Sequence, residues 1–461
     1  MTKSAWTGRH HPAALLGDLL DTLTEHGRNL LRRRETSAPV AAPDLASLGE
    51  LLLSRRGEAS GVALASSLVA AFDAAEPEER RAFLVMLASR FGPSPAAVAT
   101  AMQAVQRGAP NAMEGLHAAA EPRRQELLRR VNLAPGGTAA LVRMREELLK
   151  HLGAHPELKA VDSDFAHLFG SWFNRGFLGM RHIDWSTSAN ILEKIIRYEA
   201  VHAIKNWDDL RNRLQPDDRR CYGFFHPQLP DEPLIFVEVA LTEAIPDNVA
   251  ELLDLDRQPI EAAQATTAVF YSISNTQRGL AGVSFGNFLI KQVVEDLKAE
   301  LPNIKTFVTL SPTPGFAAWL KREREAGTSA VLDEERRAAL AVIDETGWHQ
   351  DQVKAEAARG ALIPLAAHYF LNAKDKAGKP VDPVARFHLG NGARLERLNF
   401  LGDVSANGLR QAHGLMVNYL YAPDQIETNH EALAERGVVA VSAAVRQALP
   451  SHPSATSSPA R

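Results

Sequence analysis

The stretch VFYSISNTQRGLAGVSFGNFLIKQVVEDL, residues 269–297, decides the fold of this chain. Its aromatic and β-branched start is typical of a strand that ends near Ser274. A loop with Gly279, Gly282 and Gly286 then leads into an amphipathic helix. Glycines let a backbone approach a ligand closely, and the first N–H groups of a helix are unpaired donors. The stretch predicts an anion site suited to a pyrophosphate, although an ordinary connection with glycines fits equally well.

Strands and helices alternate on both sides of this stretch. Short apolar runs such as PLIFVEVAL, KTFVTLS and GLMVNYLY are typical of strands, and residues 287–301 and 430–449 are typical of helices. This alternation predicts an α/β or α+β catalytic domain over residues 163–450. The glycine spacing matches neither GxGxxG nor the Walker A loop, which argues against a dinucleotide or ATP as the ligand.

The first third of the chain differs in amino-acid composition and in predicted secondary structure. Residues 1–162 are blocks rich in Ala, Leu, Arg and Glu, and the first block carries a leucine stripe at Leu15, Leu19 and Leu23. Such blocks predict an all-helical domain that packs against other subunits. The Ser- and Pro-rich residues 451–461 predict a flexible tail.

Composition excludes several classes of function. The 461 residues are 45% hydrophobic and 23% charged, with a formal net charge of −4, which gives no electrostatic reason to expect nucleic acid or an anionic membrane as partner. A single cysteine, Cys221, excludes an intrachain disulfide and any multi-cysteine metal site. No run of about 18 apolar residues, signal peptide or peroxisomal ending is recognisable, so a cytoplasmic protein is expected.

A serine and a histidine are the candidate chemical groups. Ser311 follows an apolar run in KTFVTLSPTPGF, where two prolines restrict the loop, although a serine there also suits a simple turn before the helix at Phe316. His388 lies between Phe387 and Leu389, an apolar setting that suits a proton donor. With 16 histidines in the chain, a structural role is the alternative for any one of them.

Several motifs together resemble the malonyl-CoA decarboxylase family. The segments FYSISNTQRGLAGVSFGNFLIKQVV, TLSPTPGF, FHLGNGA, GDVSANGL and GLMVNYLY occur in the family's order and approximate spacing, and residues 191–214 are similar too. The similarity covers most of residues 165–425, whereas over the first 160 residues it rests mainly on helical character.

The resemblance implies a fold, a site and a reaction. The fold would be that of the GNAT acetyltransferases, with Ser311 and His388 as catalytic pair, the serine as proton acceptor and the histidine as proton donor. The segment that would bind coenzyme A comprises Ala281, Gly282, Val283, Ser284, Phe285, Gly286 and Asn287. The implied reaction converts malonyl-CoA to acetyl-CoA and CO2 without cofactor or metal, in a homo-oligomer expected to be a tetramer.

Two other functions remain open on sequence grounds. A GNAT-type acyl-CoA N-acetyltransferase would share the fold and the glycine loop, but it needs an amine acceptor. A non-catalytic helical scaffold would keep only the assembly. A serine hydrolase is disfavoured because Ser311 lacks the Gly-x-Ser-x-Gly turn, and His202 and His226 lack a second metal ligand at a suitable spacing.

Overall fold

The computed structural model describes residues 22, 24, 44–54, 57–174, 176–283, 289–326, 329 and 331–450. The predicted leucine stripe at Leu15, Leu19 and Leu23 and the predicted tail 451–461 lie outside this part. The chain divides into two compact units, of which the first combines Met1–Gly179 with Phe224–Leu234 and Thr276–Gly286.

Helices form most of the described first unit. They are α1 Leu45–Leu53, α2 Glu58–Ala74, α3 Pro77–Ser89, α4 Pro95–Gln106, α5 Ala112–Ala120, α6 Arg123–Asn132, α7 Gly137–His151 and α8 Leu158–Trp172. Proline occupies the first turn of α3 and α4, where its missing N–H is harmless. Leu68, Phe83 and Phe165 belong to the buried core, so the helical character expected of the N-terminal region is confirmed.

The second unit, which combines Met180–Gly223 with Ile235–Asn275 and Asn287–Arg461, contains most of the residues of a mixed sheet. The eight strands are β1 Gly179–His182, β2 Arg219–His226, β3 Leu229–Thr242, β4 Thr267–Asn275, β5 Thr306–Thr309, β6 Ser311–Pro312, β7 Arg394–Asn399 and β8 Met416–Leu420. Their order is β1-β2-β3-β4-β5-β8-β6, and β7 also pairs with β8. A cluster that includes Val269, Val308 and Met416 is fully buried. The predicted order, a helical region followed by a mixed α/β domain, is confirmed.

Helices connect the strands of the second unit. They are α9 Ala189–Tyr198, α10 Trp207–Leu214, α11 Ala250–Leu253, α12 Leu289–Glu300, α13 Phe316–Glu325, α14 Glu334–Ala339, α15 Gln352–Leu371, α16 Pro383–Gly390, α17 Ala406–Ala412, α18 Ile426–Arg436 and α19 Ala443–Gln447. The helix predicted over 430–449 is interrupted, because Gly437 ends α18 with a φ of 65°. Helix α8 crosses position 162, the predicted end of the first domain, and the division at 162/163 stays a prediction.

The pairing of β4 opens the sheet at one end. Strand β4 pairs parallel with β5 only from Thr267 to Phe270, and then continues to Asn275. On its other edge β4 pairs antiparallel with β3, and a register shift at Glu238/Val239 places Tyr271 as an extra residue. The end of β4 therefore diverges from β5, which leaves room for a cavity beside the first residues of α12 and α16.

Candidate active site

Ser311 and His388 lie side by side although 77 positions separate them in the sequence. The distance from Ser311 Oγ to His388 Nε2 is 3.2 Å, and both side chains are buried. Ser311 lies in β6, directly after β5, and His388 lies in α16. Two of the candidate residues thus meet in one hydrogen-bonded pair.

Helix α16 is fixed at both of its ends. Asp382 caps the first turn by accepting hydrogen bonds of 2.9 Å from the N–H groups of Val384 and Ala385. At the other end Gly392 has a φ of 81°, and a Cβ there would lie 2.1 Å from the carbonyl oxygen of Ile426. Only glycine fits that turn, which holds the end of the helix that carries His388.

The strand that carries Ser311 is held by neighbouring polar side chains. Ser311 pairs with Val417 across β6 and β8. Asn418 Nδ2 donates to the carbonyl oxygen of Thr309 at 2.8 Å, and the Thr313 hydroxyl donates to that of Leu415 at 3.1 Å. These bonds satisfy buried polar groups and hold the chain on both sides of Ser311 in place.

The hydrogen-bond network assigns the protons of the pair. The Ser311 hydroxyl donates to Thr309 Oγ1 at 2.8 Å, so Ser311 Oγ accepts from Nε2–H of His388. A neutral imidazole carries one proton, and its Nδ1 is therefore an acceptor for the Tyr421 hydroxyl at 2.8 Å. In this network His388 is the donor of the pair.

Burial keeps the histidine neutral. Loss of solvent lowers the pKa of His388 from 6.5 to about 3. The ring of Tyr419 stacks on the imidazole with centroids 4.7 Å apart and planes at 24°. Burial also raises the pKa values of Tyr419 and Tyr421 well above 10, so both phenols keep their protons.

A cavity of about 270 Å³ opens onto the pair. Besides Ser311 and His388, its lining is mainly aliphatic and aromatic, with Ile235, Val237 and Ile273 from β3 and β4. Phe387, which is 41% exposed, lies at the border between the cavity and solvent. The volume and apolar walls suit a short acyl group.

The glycine segment is only partly described. Ala281, Gly282 and Val283 follow a short helical turn, and Gly282 has a φ of 75°. Ser284, Phe285, Gly286 and Asn287 lie outside the described residues. A Cβ on Gly279 would lie 2.0 Å from the carbonyl oxygen of Val142, so this glycine is required by close packing against α7.

The remaining sequence candidates have structural environments. Cys221 is fully buried, and burial raises the pKa of its thiol. His226 accepts the N–H of Gln228 and contacts the Phe173 ring, while burial lowers the pKa of His202 to about 4. No group of three His, Cys, Asp or Glu side chains in the described ranges could hold a metal, and no helix there is long and apolar enough to cross a membrane.

Sequence reasoning missed the groups that surround the pair. Tyr419 and Tyr421 occupy alternate positions of GLMVNYLY, and their spacing of two along an extended segment could have indicated a shared face. Thr309 and Ser311 are also two residues apart, so the same spacing could have indicated that their side chains share a face. Asp382 directly precedes Pro383, and an aspartate before a proline is a local signal for the start of a helix, so this cap could have been predicted from the sequence.

The fold and the site together indicate a class of enzyme. A mixed-sheet domain with a buried serine–histidine pair at an acyl-sized cavity is typical of an enzyme that acts on a small acyl group. Two sequence families match the chain: "Malonyl-CoA decarboxylase C-terminal domain" over residues 176–458 and "Malonyl-CoA decarboxylase N-terminal domain" over residues 91–173.

Curated and solved relatives agree with these matches. The chain is 36% identical to the mitochondrial malonyl-CoA decarboxylase of Anser anser anser over 335 residues, which are 68% of this chain and 66% of the goose protein. The mitochondrial enzyme of Rattus norvegicus is 35% identical over 69% of each chain. The crystal structure of malonyl-CoA decarboxylase from Rhodopseudomonas palustris is 64% identical and superposes with a TM-score of 0.86, covering 89% of this chain and 100% of that one.

The chain belongs to the malonyl-CoA decarboxylase family, and is thus an enzyme of the carboxy-lyase class. The crystal structure of malonyl-CoA decarboxylase from Cupriavidus metallidurans is similar although its sequence is less so. It is 38% identical and superposes with a TM-score of 0.72, covering 88% of this chain and 98% of that one. The resemblance drawn from the sequence motifs is confirmed.

Proposed function

We propose that this chain converts malonyl-CoA and a proton to acetyl-CoA and CO2, with Ser311 and His388 as its catalytic pair. The observation that carries the proposal is the 3.2 Å contact between Ser311 Oγ and His388 Nε2 at the apolar cavity. The family match supports the substrate, because the relatives named above are malonyl-CoA decarboxylases.

The substrate supplies its own electron sink. When the bond between the carboxyl carbon and the α-carbon breaks, its electron pair delocalises onto the thioester oxygen as an enolate, and CO2 leaves. A pyridoxal, thiamine, biotin or metal cofactor is therefore not needed for this step. The protein has to orient the carboxylate out of the plane of the thioester carbonyl, and to stabilise the developing oxyanion with fixed donors.

The enolate then takes one proton at the α-carbon. Nε2–H of His388 is the proposed donor, and Ser311 hydrogen-bonds the malonyl head beside it. A neutral histidine can act as a hydrogen-bond donor and acid toward the enolate, because the enolate carbon is a stronger base than the imidazolate that the proton leaves behind. As the Nε2 proton passes to the α-carbon, the Tyr421 hydroxyl keeps its own proton and stays hydrogen-bonded to Nδ1, and a solvent proton then restores Nε2–H.

The coenzyme would be anchored by the glycine segment. Residues Ala281 to Asn287 are the proposed phosphate-binding stretch, and the left-handed backbone at Gly282 supports this role because such turns expose consecutive N–H groups. The helix that follows begins within a few residues, at Leu289 in the described part.

The other sequence-based expectations stand as parts of the proposal. They are two domains over 1–162 and 163–450, a helical domain that assembles a homotetramer, and a cytoplasmic protein that binds neither nucleic acid nor membrane. Helices α4 and α5 have no buried residue in the described chain, which supports a role in assembly. The solved bacterial relatives support the location.

Isotope incorporation tests the reaction. Malonyl-CoA turned over in D2O should give acetyl-CoA with deuterium at its methyl group, detected by mass spectrometry, because the proton comes from an exchangeable site. Acetyl-CoA formation without solvent deuterium would contradict the enolate route. The N-acetyltransferase alternative predicts instead that release of free CoA depends on an added amine.

A further inference from the structure

Among the described residues that line the cavity at the pair, none carries a positively charged side chain. Its described lining consists of apolar residues with Ser311, His388, Tyr271 and Asn275 as the polar members. Burial leaves the imidazole neutral.

The ionisable groups behind the cavity wall are mostly acidic. Glu238 follows the wall residue Val237 and is fully buried, and Glu199 accepts hydrogen bonds of 2.8 and 3.0 Å from Ser272 and Ser274 of β4. Arg213 lies against Glu238 at 3.1 Å and Asp209 at 2.9 Å, so its charge is already paired. No unpaired cation among the described residues of this cluster faces the cavity.

We propose that the cavity receives the malonyl carboxylate without a cationic partner, and that its apolar walls make decarboxylation easier by disfavouring the bound carboxylate. This inference rests on the proposed function. In the ground state the negative charge resides on the carboxylate, whereas in the transition state it moves toward the thioester oxygen. Interactions that destabilise the ground state more than the transition state raise kcat, because the rate depends on the free-energy difference between these two states.

The inference also sets a binding preference. A buried anion without a countercharge loses much of its hydration, so a neutral acyl group of the same shape should bind more tightly than the carboxylate. A site designed to hold the carboxylate with a cation would show the opposite order. The relative affinities of the neutral and the charged ligand therefore distinguish a cavity without a cation from one that pairs the carboxylate with a cation.

Two thioether analogues test this preference without turnover. S-(2-carboxyethyl)-CoA keeps the carboxylate but lacks the thioester carbonyl, so it cannot form the enolate, and S-(2-carbamoylethyl)-CoA is its neutral counterpart. We expect the neutral analogue to bind the wild-type enzyme at least tenfold more tightly, as measured by calorimetry. Equal affinities, or tighter binding of the carboxylate, would overturn the inference.

Val384 allows a cation to be introduced. It lines the cavity, is only partly buried, and lies one helical turn before His388 on the same face of α16. In Val384→Lys the carboxylate analogue should bind at least tenfold more tightly than in wild type, while kcat for malonyl-CoA falls at least tenfold. The matched variant Val384→Met adds similar length without charge and should keep the wild-type order of affinities.

Each outcome has a separate meaning. A folded Val384→Lys protein with unchanged affinity for the carboxylate analogue, or with faster decarboxylation, would contradict the inference. Loss of folding in this variant leaves the wild-type analogue comparison as the deciding result. Failure of the wild-type enzyme to make acetyl-CoA from malonyl-CoA would instead contradict the proposed function, whichever analogue binds more tightly.

Discussion

Tyr421 and His388 are joined by a 2.8 Å hydrogen bond between the tyrosine hydroxyl and Nδ1 of the imidazole. Since Nε2 faces Ser311, this bond selects the tautomer that directs the remaining proton toward the serine. Tyr421 is thus a positioning residue for the proposed donor.

Tyr421→Phe should lower kcat about tenfold, because the loss of one buried hydrogen bond frees the imidazole tautomer. KM for malonyl-CoA should stay nearly unchanged in steady-state assays. Tyr419→Phe is the matched control: the Tyr419 hydroxyl is buried without a hydrogen-bond partner in the described structure, and the stacked ring is retained. Equal loss of activity in both variants would contradict a specific role for the Tyr421 hydroxyl.

The buried histidines should make the protein sensitive to acid. Below pH 6.5 the unfolded chain binds a proton on His388 that the folded protein accepts only near pH 3, so the free energy of unfolding falls as the pH falls through this window. Between pH 7.5 and 5 this one residue accounts for on the order of 2 kcal/mol.

Urea unfolding at the two pH values measures this contribution. His388→Gln should show a smaller loss of stability at pH 5 than the wild type. His117→Gln removes an exposed histidine of α5 and should lose as much as the wild type. An identical pH dependence in His388→Gln would show that this residue does not carry the effect.

A close approach couples the Ser311 loop to α15. A Cβ on Gly315 would lie 2.5 Å from the Tyr369 hydroxyl, which donates to Asp382 at 3.2 Å. Gly315→Ala should destabilise the protein by about 1–3 kcal/mol through this overlap. Tyr369→Phe removes the overlapping atom, so the double variant should be more stable than the sum of the two single effects predicts. Additive effects in thermal unfolding would rule out the overlap.

Gly279→Ala tests the packing of the glycine segment. Its Cβ would overlap backbone atoms of Val142, which cannot move without shifting α7, so we expect a loss of about 2 kcal/mol or more and weaker CoA binding. Gly61→Ala in α2 is the control, because nothing lies within 4 Å of its Cβ and alanine favours the helix. The idea fails if both variants have the same melting temperature as the wild type.

Local patterns predicted most of the elements that position the site. The runs around β3, β4, β5 and β8, the helix from Phe316 and the N-terminal helices from Leu45 onward have strong periodicity or flanking prolines and glycines, and these elements are present in the described residues. The two-residue strand β6 and the strand β1 are too short for a periodic pattern. Helix α15 has most of its polar residues in its first half and most of its apolar residues in its second half, with Pro364 inside it, so its sequence lacks a clear helical stripe.

The contacts within the site depend on the tertiary fold. Ser311 and His388 were both identified from their neighbours and the family motifs, but their proximity requires the pairing of β6 with β8 and the capping of α16 by Asp382. The role of Tyr421 requires the same arrangement, because the sequence distance of 33 residues from His388 carries no information about contact.

The most direct test of the catalytic pair is a coupled assay of acetyl-CoA formation from malonyl-CoA with chelator-treated wild-type protein, Ser311→Ala and His388→Asn. We predict that the treated wild type stays active, and that kcat falls at least about 100-fold in each variant while CoA binding changes little. Wild-type rates in either folded variant, or loss of activity in the chelated wild type alone, would contradict the account.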